Sequence, residues 1–90
     1  MSGLPRQPGS TDSSFLASLA HGRALAWSAL GDLKQAVSCE EETVRLAPDS
    51  YDDWLYLADL YDREGRITES QQARQRAAAS RLQRPSDLQP

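Results

Sequence analysis

Apolar residues in this 90-residue chain recur at three- and four-residue steps, the spacing of one helix face, and show no period-two alternation of the kind a strand needs. Phe15, Leu16, Leu19, Ala20, Ala26, Trp27 and Leu30 predict a first helix, followed by Gly31 where a left-handed C-terminal residue is wanted. Leu33, Ala36, Val37, Val44 and Leu46 predict a second, opened by Asp32 with Gln35 three residues on and closed by Pro48. Trp54, Leu57, Ala58 and Tyr61 fall at i, i+3, i+4 and i+7 between a Ser50–Asp53 opening and Gly65, which predicts a third. Thr68 with Gln71 is expected to cap a fourth helix with a thin apolar face, Ala73, Ala77, Ala78 and Leu82 after Ile67. Few β-branched residues and abundant Ala, Leu, Glu, Gln and Arg complete an all-α reading.

The flanks read differently. Residues 1–11 are rich in Gly, Pro, Ser and Thr and are expected to form a disordered leader; residues 85–90 begin and end with proline and are expected to form a disordered tail. That leaves a domain over residues 12–84, about seventy residues, which is close to the lower limit for a self-sufficient core. So small a core leaves little room for a buried catalytic cleft, so neither an enzyme nor a small-molecule substrate is expected. No apolar run approaches the ~18–20 residues of a membrane span, no basic region followed by an apolar stretch opens the chain, and one cysteine cannot form an internal disulfide. A cytoplasmic protein is the expectation.

Gly31 and Gly65 stand 34 residues apart, and at that offset Ala24 meets Ala58, Trp27 meets Tyr61 and Leu33 meets Ile67. A 34-residue helix–turn–helix period is the spacing of tetratricopeptide repeats. The run Trp54-Leu55-Tyr56-Leu57-Ala58-Asp59-Leu60-Tyr61, with Gly65 at the turn and Pro48 closing the preceding unit, resembles that family. The resemblance divides the domain into a first repeat at about residues 17–50 and a second at about 51–84. It implies four antiparallel helices forming a fragment of a right-handed α-solenoid. At the family's large aromatic position in the second helix, the two copies carry Glu40 and Arg74.

The resemblance also implies a concave face, lined by the first helix of each repeat, on which the family holds peptides or proteins. Carried over by position, its residues here are His21, Leu25 and Ser28 in the first repeat, and Asp52, Leu55, Tyr56, Asp59, Asp62 and Arg63 in the second. The Lys and Asn residues with which the family grips a C-terminal carboxylate are replaced by His21, Leu25 and Tyr56, so a chaperone-tail clamp is not expected. Asp52 and Asp59 lie about 20° apart on a helix and Asp62 one turn further on. With nothing on the helix to offset them, an acidic face suited to a basic segment is expected.

Charge is divided along the chain. Asp32 to Glu64 holds ten acids and three bases, whereas Arg66 to Arg84 holds five arginines and one acid, Glu69. The fourth helix is therefore a candidate to pair with the acidic surface of a second copy, and a homodimer is the alternative to a peptide ligand. The net charge of −3 and the absence of interleaved bases and aromatics argue against nucleic acid. His21 and Cys39 are the only residues of their types, and both are expected at the surface or its edge. Glu40, Glu41 and Glu42 point in three directions and are expected on a solvated face. No metal site, no cofactor site and no catalytic constellation is expected. The function so inferred is that of a protein–protein interaction module.

Overall fold

The computed structural model describes residues 12–82, so the expected leader and tail lie outside the described residues. Among the described residues the chain is entirely helical: α1 (Ser13–Ala29), α2 (Leu33–Leu46), α3 (Tyr51–Arg63) and α4 (Ile67–Leu82). Each helix packs on the next, so α2 lies between α1 and α3, and α3 between α2 and α4.

Local chemistry sets the helix ends. The Asp32 carboxylate accepts from the Gln35 backbone N–H at 3.1 Å and caps α2, and Asp12 caps α1 by accepting from Ser14 N–H at 3.0 Å. The two hairpin turns are geometrical copies. Gly31 and Gly65 adopt φ of 84° and 76°, and just beyond them Asp32 N–H bonds Trp27 C=O at 2.9 Å and Arg66 N–H bonds Tyr61 C=O at 2.8 Å. Both are the six-to-one closure of a helix ended by a left-handed glycine.

Two expected openings differ. At Ser50 the hydroxyl makes no capping bond to the backbone and instead donates to Asp53 Oδ2 at 2.6 Å. Thr68 and Gln71 lie inside α4, because the chain re-enters the helix directly after Gly65: Ser70 N–H already bonds Arg66 C=O at 3.0 Å.

The core gathers Ala36, Val37, Val44, Leu57, Ala58, Leu60, Tyr61 and Ala73, with Trp27, Leu33, Trp54 and Tyr56 packed at its margin. Leu60 lies off the expected α3 stripe and is fully buried because α3 is covered from two sides. The expected stripe of α1 holds at Ala20 and Trp27 and is otherwise corrected. That helix buries Ala17, Ala20 and Ala24, while Phe15, Leu19 and Leu30 remain 54%, 46% and 76% exposed. Alanines on the buried side allow the helices a close approach, and the larger apolar residues fall on the opposite side of α1. In α4 the buried residues are Ser70, Ala73, Ala77 and Ser80, and Ile67, Ala78 and Leu82 are exposed.

Arginines supplement this thin face. The guanidinium of Arg66 lies over Tyr61, that of Arg76 over Trp54 and that of Arg81 over Tyr51, 4.8, 4.7 and 5.2 Å from the ring centroids. Such stacking is worth about 0.5–1 kcal/mol at exposed sites.

Candidate functional site

Side chains of α1 and α3 meet at successive levels along both helices. His21 Nδ1 lies 3.1 Å from Asp53 Oδ1, the His21 ring meets Tyr56 edge-on at 5.5 Å, and Arg63 donates to the Ser28 hydroxyl at 3.2 Å. The contacts advance in the same direction on each helix, so α1 and α3 lie side by side and parallel. Four of the residues carried over from the family, His21, Ser28, Tyr56 and Arg63, are brought together by these contacts. Leu25 is exposed beside them on α1, and Asp52 and Asp59 face solvent on α3.

The other two turn away. Leu55 faces α4 and, with Tyr51, lines a cleft of about 390 Å³ whose far wall includes Ala77, Ala78 and Leu82. Asp62 also faces α4, where it pairs with Arg74.

The expected uncompensated acidic stripe is corrected. Arg63 pairs with Asp59 one turn away at 3.3 Å, and Arg74 pairs with Asp62 from the neighbouring helix. A hydrogen bond from Ser70, joined by Arg74, holds the Asp62 carboxyl below its ordinary value. Among the described residues Asp52 alone of the three has no ion pair. Arg66, just before α4, and the arginines of α4 are likewise engaged within the chain. Arg66 contacts Glu64, Glu69 and Glu41, and Arg76 and Arg81 lie on aromatic rings. The charge division read from the sequence is therefore largely satisfied by α4 docking on its own neighbours.

A second constellation lies beneath the α1–α3 contact. Glu40 was expected on a solvated face, yet its side chain is 0% exposed. Its Oε1 lies 2.9 Å from His21 Nδ1, and its buried Oε2 has no hydrogen-bond partner. His21 is correspondingly more than an edge residue, since Nδ1 approaches two carboxylates from two other helices. Burial foremost, then the adjoining Asp53 carboxylate, pushes the Glu40 carboxyl up to about 9. One donor atom from each of His21, Glu40 and Asp53 lies within 4.8 Å of the others, which is a metal-ligand type of grouping. Beside it opens a cleft of about 250 Å³ lined by Ser14, Ala17, Ser18, His21, Ala47 and Asp53.

One signal in the sequence pointed to this burial. Glu40 stands four residues after Ala36 and four before Val44, in the middle of the apolar stripe of α2. Its charge suggested solvent, while its position placed it in the core. The convergence with His21 and Asp53 had no local signal, because the three residues lie on three helices. No helix among the described residues is long and apolar enough to cross a membrane. Comparison of the chain with protein-family models, with curated proteins and with solved structures finds no match.

Proposed function

We propose that this chain is a non-enzymatic protein-interaction module of tetratricopeptide-repeat type, two helical hairpins that hold a peptide or protein segment along the face shared by α1 and α3. The observation that carries the reading is the parallel pairing of those helices through His21–Tyr56 and Ser28–Arg63, beside which Leu25, Asp52 and Asp59 remain open to a ligand. The geometrical identity of the Gly31 and Gly65 turns supports the repeat itself.

Asp52, with Asp59 partly offset by Arg63, suits a segment carrying one or two basic residues beside apolar ones. Leu25→Ala and Asp59→Asn, both at exposed positions, should weaken capture of such a segment from a peptide array and leave folding intact. Leu57→Ala, at a fully buried position, should cost about 2–5 kcal/mol of stability. Affinity should fall as salt rises. Equal behaviour of the two kinds of variant, or binding indifferent to salt, defeats the proposal.

The exposed apolar side of α1 favours a second reading, a homo-oligomer in which Phe15, Leu19 and Leu30 pack against another copy. Light scattering across micromolar concentrations separates the two. A monomer throughout removes the second reading, and a dimer dispersed by Leu19→Lys supports it.

A further inference from the structure

Three side chains from three different helices converge at the junction of the two hairpins. His21 comes from α1, Glu40 from α2 and Asp53 from the first turn of α3. The His21 Nδ1 has at most one hydrogen, yet it lies 2.9 Å from one carboxylate oxygen and 3.1 Å from another. Both carboxyl groups crowd one imidazole nitrogen, and that of Glu40 is wholly removed from water. The second Glu40 oxygen, also buried, has no partner. Buried polar atoms in folded proteins are almost always paired, so the Glu40 carboxyl, which meets His21 through Oε1 and has no partner at Oε2, is short of a partner where it is held.

We propose that His21, Glu40 and Asp53 form a binding site for one divalent transition-metal ion of the zinc class. At metal–donor distances of about 2.0–2.2 Å, donors around a tetrahedral ion stand about 3.3–3.6 Å apart, so the separations of 2.9 and 3.1 Å from Nδ1 would widen by a few tenths of an ångström as the ion enters. With the proton on Nε2, Nδ1 offers its lone pair to the ion, and the ion's two positive charges balance the two carboxylates. Imidazole among the donors selects zinc-class ions over magnesium and calcium, which take oxygen.

The donors are held in place by their own neighbours, as metal ligands are. The Ser50 hydroxyl donates to Asp53 Oδ2 at 2.6 Å and leaves Oδ1 directed at His21. Tyr56 supports the imidazole edge-on, its ring 78° to the His21 ring. Three protein ligands leave a fourth position, and the cleft beside His21 and Asp53 gives water and the ion a way in. Such an ion ties α1, α2 and α3 together where the first hairpin meets the second. It adds a metal clasp to a core of small residues, the device that small domains commonly need. The site shares His21 and its neighbour Tyr56 with the α1–α3 face but needs no peptide, so Zn²⁺ binding and peptide capture are measured separately and either proposal can fail without the other.

The test uses the full chain, stripped with chelator and titrated with Zn²⁺ alone. Calorimetry should give one ion per chain, and the melting temperature should rise with Zn²⁺ and stay unmoved by equal Mg²⁺. Co²⁺ in its place should give the intense visible absorption of a four-coordinate ion. Glu40→Gln keeps the shape of the buried side chain, and it and His21→Ala should each weaken Zn²⁺ at least tenfold, whereas Asp49→Asn in the exposed loop before α3 should leave it unchanged. The Co²⁺ spectrum of the unaltered chain supplies the readout should a variant fail to fold. A Kd weaker than about 100 µM, a six-coordinate Co²⁺ spectrum, or equal affinity in Glu40→Gln and the unaltered chain overturns the proposal.

Discussion

Arg76 of α4 lies over the indole of Trp54 of α3, 4.7 Å from the ring centroid, while the same indole N–H donates to the Pro48 carbonyl at 2.7 Å. One side chain thus joins the loop that ends the first hairpin to the last helix of the second. Because α4 buries only alanines and serines, contacts of this kind carry a larger share of its docking than they would in a leucine-rich helix. Arg76→Ala should lower stability by about 0.5–1 kcal/mol, and adding Arg81→Ala should lower it by a similar further amount. Urea unfolding of the two variants against the unaltered chain measures both steps, and no change in either midpoint would show that the stacking is incidental.

The glycines separate backbone from packing. Gly31 and Gly65 hold positive φ with open space where a Cβ would stand, so alanine there clashes with nothing but the chain's own backbone. Gly31→Ala and Gly65→Ala should each cost about 1–2 kcal/mol. Gly22 lies within α1, also with open space around it, and Gly22→Ala should stabilise by about 0.5–1 kcal/mol. Thermal unfolding of the three variants should show the two signs; a gain at Gly65 would mean that its turn relaxes.

Acid should weaken the seam between α3 and α4. Hydrogen bonding from Ser70, with Arg74, holds the Asp62 carboxyl below its ordinary value across that seam, and Arg66 does the same for Glu69 within the first turn of α4. A carboxyl depressed in the folded state binds fewer protons there than in the unfolded state. Its stabilisation is therefore present above the unfolded value and lost as pH falls through the folded one. The melting temperature should decline as pH is lowered below about 4, and Asp62→Asn should flatten part of that decline. Melting curves from pH 6 to pH 2 test it; an unchanged acid limb in Asp62→Asn would remove Asp62 from the account.

Helix positions were legible because their causes are local. The Asp32 cap, the two glycine turns and the Leu57, Ala58, Tyr61 stripe each depend on residues within a turn or two of one another, and each stands where the pattern places it. The candidate face was legible in part. His21, Ser28, Tyr56 and Arg63 come together, but Leu55 and Asp62 turn toward α4, since α3 is covered on two sides and residues a turn apart serve different neighbours.

The sequence by itself determined four helices, their turns and most of the core of α2 and α3, because hydrogen bonding between near neighbours and the 3.6-residue period act without the rest of the chain. Only the tertiary structure decided that α1 buries Ala17, Ala20 and Ala24 and exposes Phe15 and Leu19, and that the arginines of α4 are engaged by Asp62, Trp54 and Tyr51. It alone placed Glu40 in the interior beside His21 and Asp53. Burial of one helix face is settled by what packs against it, and three residues on three helices become neighbours only when those helices meet.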